Sequence, residues 1–598
     1  MASKSLPASA LYLATALLAL LGVTRIASTY RTFSQTVDEP IHVAAGYQWL
    51  HGKYDLDVEH PPLARLFFGL DAFRTYTMTN VTQDRALQGN ELLYRGGTYR
   101  QNLAWARAGN LPFFLLGLLA VFLWAKWLEG VAAGVVAVAL FGALPPVLAH
   151  AGLATTDMAA AASVAAALYC FARWLEEPSW RRTLLLGGAI GVGLLSKFSF
   201  LLFFPVGAVV LLLPRLRRLR YAPRLAGAAL LSFLLVCAAY RFETGRFYEI
   251  RLRSMPPGTM EHIAARYGKE PGYEWVRPDL VGRYNAFAEY AKKHNGKVGI
   301  DFVDWAKAAG YPSPLAGRQG DTLRGAPPLP PVPLRDRLLE PVRAGGRWLA
   351  TRVPIPAITF FAGADYVRFH TKSGHAAFLL GKRSTSGWWY YFPVVLFFKT
   401  PLPFLALAAA GLFFLRRNAV AYLPLALLGV SMTSSINIGI RHVLPIYPFL
   451  TIGAAVGAVV LWRRRRTAAV LLLAWYFAGT ALAHPNYLAW FNEAAGGHPE
   501  RIAVDSNLDW GQDLFRLADY AERQTLSPLY VSYFGSARWR DHLPTALPLP
   551  LGQCTPGWIA LSEQHPAIDQ SIAYRWLEQH RPVKRIGSSI RLYFVTGC

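Results

Sequence analysis

Residues 9–28, SALYLATALLALLGVTRIAS, form an apolar run, and residues 36–66, TVDEPIHVAAGYQWLHGKYDLDVEHPPLARL, follow it with Asp38, Glu39, Asp55, Asp57 and Glu59. About 20 mostly apolar residues cross a hydrocarbon core roughly 30 Å thick, and the first run has that length. The rest of the chain repeats the pattern: 53% of its 598 residues are hydrophobic, only 16% are charged, and the apolar ones are bunched into runs. Such bunching points to a polytopic membrane protein and away from a soluble enzyme. Eleven spans are expected, at 9–28, 109–127, 130–148, 157–175, 183–196, 199–214, 224–241, 388–414, 419–435, 443–462 and 467–483. Lys4 before the first run resembles a signal-peptide flank. Arg25 interrupts the region of a small-residue cleavage site, however, so the run reads as an uncleaved helix.

The formal charge of +25 comes partly from clusters at the ends of these runs: Arg215, Arg217, Arg218 and Arg220, then Arg416 and Arg417, then Arg463–Arg466. Placed there, arginines anchor a chain on the cytoplasmic side of a bilayer and attract anionic lipid. The bilayer is therefore the expected partner, and nucleic acid is not. All the clusters share one side when the N-terminus is cytoplasmic, which puts residues 36–66, the segment 242–387 and the tail from 484 on the outer face. Cys170 and Cys237 fall within apolar runs, whereas Cys554 and Cys598 fall in the tail and are candidates to pair in an oxidising compartment.

Four regions follow: a transmembrane module, 1–241, with a first outer loop at 30–108; a polar outer segment, 242–387, containing the Pro-rich linker GAPPLPPVPLRDR; further spans, 388–483; and a soluble outer domain, 484–598. That domain reads as α/β, with helices near 512–524 and 567–580 and strands in PLYVSYFG, GWIALS and SIRLYFV. Glycines in GGAIGVG, 187–193, lie inside a span and serve close helix packing rather than phosphate binding.

Charges at membrane depth cost enough to need a reason. Asp38 and Glu39 stand about ten residues beyond the first span, with His42 and Tyr47 nearby; Glu59 and His60 precede two prolines that fix the local backbone. Asp157 opens the helical run after ATT, where it also reads as a cap. Lys197 and Arg441, with His442, break the rule that outer connections are poor in cations. Carboxylates facing cations in this way suit a base for a hydroxyl together with a clamp for a phosphate leaving group. Two readings stand for Lys399 in FFKTPLPFL: an intramembrane contact to that phosphate, or a place at the interface. A divalent cation is a further expectation if Asp38, Glu59, His60 and Asp157 converge, with Glu59 and Asp157 its leading ligands. DSNLDWGQD, 505–513, resembles a calcium loop, but its glycine falls one place late and Arg516 replaces the closing glutamate, favouring a turn before the next helix.

VDEPIH, GKYDLDVEHPPLARL, ATTDM and LLSKFSFLLFFP together resemble the GT-C polytopic glycosyltransferases of the protein O-mannosyltransferase family, with bacterial relatives such as the lipid A aminoarabinose transferase. The likeness covers about the first 215 residues; SGHAAFLLG, GWWYYFPVVLFFKTPLP, GIRHVLPIYP and PNYLAWFNEAAGG extend it. It implies a bacterial inner-membrane enzyme that moves a sugar from a polyprenyl-phosphate donor to an acceptor outside the cytoplasm, inverting the anomeric carbon. By the same likeness Asp38 is the catalytic base and Glu39 its partner. Glu59, Asp157 and His42 line the acceptor cavity, and Lys197, Arg441, His442, His60 and Lys399 face the donor phosphate. His60 stands where the lipid A enzyme has lysine, which shifts weight to Lys197 and Arg441. The alternative is a transporter or flippase of lipid-linked sugars that keeps the fold without the chemistry.

Overall fold

The computed structural model describes residues 7–54, 56–78, 84–246, 250, 353–569 and 573–597. The chain divides into one unit formed by Met1–Ala239 and His370–Cys598 and a second formed by Tyr240–Phe369. In the second, Thr244–Arg246 pairs antiparallel with Pro354–Pro356, and the Glu243 carboxylate accepts from the Thr359 N–H. The Pro-rich linker lies outside the described residues.

Apolar helices dominate the first unit. They begin with α1, Ala8–Ala27, and continue after the outer loop with α6, Leu111–Glu129; α7, Val131–Phe141; α8, Pro145–Ala151; α9, Asp157–Glu176; α10, Trp180–Ser196; α11, Phe200–Leu212; and α12, Ala222–Ala239. Helices Leu423–Ser431, Tyr447–Arg464 and Arg466–Leu482 follow later. By length and composition six helices among the described residues suffice to cross a membrane, or eight if each of two bent pairs counts as one span. Eleven spans are expected from the sequence. The 130–148 region turns by 68° between α7 and α8, and the 388–414 region turns by 114° between Tyr391–Lys399 and Leu402–Phe414. Proline explains both breaks: Pro145 and Pro146 start α8, and Pro401 sits between the other two helices, where the residue before a proline leaves the helical region.

Glycine sets the helix spacing. A Cβ on Gly187 would lie 2.8 Å from the Ala228 carbonyl oxygen, and one on Gly191 would lie 2.6 Å from Leu235, so GGAIGVG presses α10 onto α12 as expected. Gly411 likewise lets Leu402–Phe414 meet Tyr447–Arg464, its Cβ position falling 1.8 Å from the Gly453 carbonyl oxygen.

The connection between α1 and α6 folds into α2, Glu39–Leu50; α3, Leu63–Thr75; α4, Arg85–Tyr94; and α5, Tyr99–Ala108. Two glycines let α2 and α3 touch backbone to backbone. A Cβ on Gly46 would lie 1.9 Å from the Arg65 carbonyl oxygen, and one on Gly69 would lie 2.4 Å from Tyr47 N. A third, Gly89, admits α4 against the Pro40 carbonyl. These contacts fix the spacing of the two acidic segments, one before α2 and the other before α3.

The tail forms a five-stranded sheet from β1, Leu529–Ser532; β2, Leu547–Pro548; β3, Gly557–Ser562; β4, Lys584–Ile586; and β5, Ile590–Val595. Its order is β2-β1-β3-β5-β4, with β1 parallel to β2 and β3, and β5 antiparallel to β3 and β4. The helix Leu514–Gln524 covers one face through Leu514 and Leu517, while Tyr574 and Leu577 cover the other. All three strands expected from the sequence are present. The expected helix at 567–580 is not continuous: a π turn, His565–Asp569, and a 3-10 turn, Arg575–Gln579, stand there, with residues 570–572 outside the described set. Cys554 is disulfide-bonded, Cys170 and Cys237 are free, and Cys598 is not among the described residues.

Gly46→Ala is expected to lower the detergent melting temperature. The added carbon meets backbone, which cannot rotate aside, and overpacking of this kind typically costs about 1–3 kcal/mol. Melting of the purified variant against its parent, followed by tryptophan fluorescence, measures this.

Candidate active site

Asp38 and Glu39 are adjacent in sequence and opposite in circumstance. Glu39 is fully buried at the first position of α2, and its two oxygens accept from Arg107 Nε at 2.8 Å and Nη2 at 2.9 Å. The same carboxylate accepts the N–H of Thr36 at 2.8 Å and that of Ala154 at 2.9 Å. Its acceptor capacity is used by the fold, so Glu39 positions the turn and has no oxygen to spare. Asp38 keeps 26% of its side chain exposed and makes no helix-capping bond; Oδ2 takes Arg441 Nη1 at 2.7 Å.

Arg441 reaches Asp38 from 403 positions further along the chain. It lies in the 3-10 segment Ile440–Ile446, and its guanidinium stacks 4.3 Å from the centre of the Trp510 ring. Tail residues hold this segment: Ser506 Oγ donates to the Ile438 carbonyl at 2.7 Å, and Ile440 N–H donates to Asn507 Oδ1 at 2.9 Å. The tail also grips the Asp38 turn, since Val37 N–H donates to the Trp510 carbonyl and Ser34 N–H to the Gln512 carbonyl. Both members of the Asp38–Arg441 pair therefore rest on one loop, DSNLDWGQD. None of its three acids is arranged as a calcium ligand: Asp513 accepts from Ser588 N–H, Ser589 N–H and Ser589 Oγ, while Asp509 accepts from the N–H groups of Gly511 and Gln564. Asp505 adopts a left-handed backbone, φ 56°, and burial pushes its carboxyl up to about 6, against the opposing pull of Arg441 and a hydrogen bond from Ser506 N–H.

A second ion pair joins Asp157, at the start of α9, to Lys197, Nζ to Oδ1 2.5 Å. Thr156, not Asp157, occupies the cap position, and the other Asp157 oxygen is buried without a hydrogen bond. The charges of Arg441, Lys197, Asp157 and His60 all act on buried His442, so these five residues from four parts of the chain share one neighbourhood. Lys197 and Arg441, expected as a phosphate clamp, are each held by a carboxylate in this structure.

The DVEHPP turn wraps around Arg65. That guanidinium donates to the Asp57 carboxylate at 2.8 Å, to the Asp57 carbonyl at 2.9 Å, and to the carbonyls of His60 and Pro61. Arg85 bridges Asp57, 2.9 Å, and Glu59, 3.3 Å, while His370 Nδ1 lies 3.1 Å from Glu59. Burial alone would raise both carboxyls. Arg65 holds Asp57 well below the usual range, and the His370 bond brings Glu59 down to about 2. The Glu59 bond in turn raises His370. Desolvation keeps His42 well below the ordinary histidine value. Asp55 lies outside the described residues.

Two expectations are corrected. Lys399 is buried with Nζ donating to the carbonyls of Leu488, 2.6 Å, and Asn507, 2.8 Å, beside the Phe491 ring, so it braces the tail turn instead of facing a phosphate. Glu59 and Asp157 do not meet as metal ligands: the first serves Arg85 and His370, the second Lys197.

Residues 105–240 match the family described as dolichyl-phosphate-mannose-protein mannosyltransferase. The matched segment includes Arg107, Asp157 and Lys197, and it bears out the resemblance carried by the motifs. No curated protein matches in sequence. Among solved structures, ArnT from Cupriavidus metallidurans bound to undecaprenyl phosphate is 13% identical, covering 98% of this chain and 99% of that one, TM-score 0.43. The Archaeoglobus fulgidus oligosaccharyltransferase AglB, solved with an inhibitory peptide and a dolichol-phosphate, is 11% identical over 96% of this chain and 72% of its own, TM-score 0.41.

Sequence reasoning passed over Arg107, Arg65, Arg85, His370 and Trp510. Only Arg65 carried a signal, as a cation inside the acidic stretch; the others come from afar.

Replacing Arg107 by Met is expected to cost about 3–5 kcal/mol, because it strands the buried Glu39 charge. Adding Glu39→Gln should recover part of that loss in a detergent stability cycle. The pH response of Asp505 has a definite sign. Its folded value is raised, so its contribution is full below the unfolded value near 4 and is lost as pH rises through about 6. Asp505→Asn should flatten the melting temperature across that window relative to the parent.

Proposed function

We propose that this chain transfers a sugar from a polyprenyl-phosphate donor to an acceptor on the outer side of a bacterial inner membrane. The observation that carries the reading is the Asp38 carboxylate: partly open, next to a fully committed Glu39, and bonded through one oxygen to buried Arg441. The other oxygen is left to take a proton from an acceptor hydroxyl as that hydroxyl attacks the anomeric carbon. Attack from the face opposite the departing phosphate inverts that carbon. The matched family's description names a polyprenyl-phosphate sugar as donor, which supports the donor class.

In this reading the bond from the anomeric carbon to the phosphate oxygen breaks as the new glycosidic bond forms, and negative charge builds on the lipid phosphate. Arg441 and Lys197 are the cations for that charge. Each exchanges or shares its carboxylate partner when a phosphate arrives, and charge-assisted bonds of this kind are stronger than neutral ones. His442, buried within reach of both charges, is a further contact. A transporter would need no base beside its cations, so the Asp38 substitution separates the two readings.

Asp38→Asn preserves the shape of the side chain and removes the basic oxygen. General-base help is typically worth about 10² to 10⁴ in rate. Cells lacking the gene should lose one sugar from a surface glycoconjugate by mass analysis, and the parent gene should restore it. The Asn variant, expressed to the same level, should restore about 1% or less at early times. Full restoration by that variant would remove Asp38 as the base and revive the transporter.

A further inference from the structure

His42 projects from α2 toward the DVEHPP turn, where it is buried with Nδ1 lacking any hydrogen-bond partner. His60 meets it edge-on, ring centres 4.8 Å apart, and its own Nδ1 is buried and unpartnered. The nearest acceptor, Asp57 Oδ2, stands 3.6 Å away, too far for a hydrogen bond. Ligand atoms from His42, Asp57 and His60 lie within 4.8 Å of one another. Two buried imidazole nitrogens without partners cost about 1–3 kcal/mol each, and both belong to the same small cluster. One shared ligand would satisfy them together.

We propose that His42, Asp57 and His60 bind a divalent metal ion of the zinc class, with a position left open for an oxygen ligand such as water or a phosphate. The donors decide the class. Two imidazoles and one carboxylate suit zinc or cobalt, whereas magnesium and calcium take oxygen ligands. Zinc–nitrogen bonds of about 2.0–2.1 Å require the donors to close to about 3.3 Å of one another, a movement that side-chain rotation supplies. Carboxylate ligands are ordinarily hydrogen-bonded from behind, and Arg65 and Arg85 do this for Asp57. Their positive charge also weakens the site, so the expected affinity is below that of a structural zinc site. The ion sits beside the sequence-expected ligand Glu59, whose carboxylate is not among the converging donor atoms. The proposal stands on the cluster alone and holds for a transferase or a transporter.

Purified full-length protein in nanodiscs, stripped with a chelator, is dialysed to equilibrium against Zn²⁺, and Co²⁺ is used as a spectroscopic probe. One zinc per chain is expected, and Co²⁺ should give the visible ligand-field absorption of a nitrogen-containing site. His42→Ala and His60→Gln should each weaken Zn²⁺ by about 10-fold or more, following the losses seen even for residues that only support ligands; Glu59→Gln should leave it within about twofold. His60 is the more exposed histidine, 18% of its side chain, so its variant tests the site if His42→Ala fails to fold. Absence of stoichiometric zinc in the parent, a cobalt spectrum of oxygen ligation only, or undiminished zinc binding by His60→Gln would overturn the proposal.

Discussion

The buried pair of Glu39 and Arg107 holds the segments around the Asp38 turn together. Arg107 gives its remaining donors to the carbonyls of Tyr30, Phe33 and Ser34, and Glu39 takes the N–H groups of Thr36 and Ala154. One ion pair thus ties the exit from the first apolar helix to the start of α2, the end of α5 and the approach to α9. An unpaired charge here would be prohibitive, whereas the pair with every polar atom satisfied is tolerable. Its geometry decides where Asp38 stands. Conformational precision, more than stability, is what such a pair supplies.

Around that anchor the site is made of ion pairs that differ in openness. Glu39–Arg107 is sealed, Asp57 is gripped from two sides, and Asp38–Arg441 and Asp157–Lys197 are reachable in part. The gradation sorts structural charges from chemical ones better than residue type does. Both Asp38 and Glu39 are acids in one motif, yet only one has an oxygen to spare. The same criterion removes Lys399, whose donors are spent on carbonyls, and singles out the unpartnered nitrogens of His42 and His60.

Much of this was legible in the sequence because bilayer solvation imposes a strong pattern: long apolar runs, arginine clusters at their ends, and acids concentrated in one loop. The glycine reading of 187–193 and the strands of the tail followed from equally local rules. The kinks did not, since a run of apolar residues with an internal proline has the composition of a straight span; the 114° turn at Thr400–Pro401 needs the packing on both sides. Partner identities were the least legible. Arg107 lies 68 positions from Glu39 and Arg441 lies 403 from Asp38, and no periodicity links such distances. The role of DSNLDWGQD was hidden for the same reason: Asp513 looks like a ligand until the turn at Ser588–Ser589 is seen to supply its donors.

The grip of that loop on residues 34–37 has a consequence for biogenesis. Ser34 Oγ donates to the Gly511 carbonyl and accepts from Leu514 N–H, contacts 477 and 480 positions apart. A ribosome feeding this chain into a membrane delivers Ser34 477 positions before Gly511. Until that loop has been made the turn waits without its frame, and Arg441 waits without Trp510. The Asp38–Arg441 pair is therefore framed only once these two stretches have met, so a chain cut short before residue 514 has helices and acids but lacks that frame.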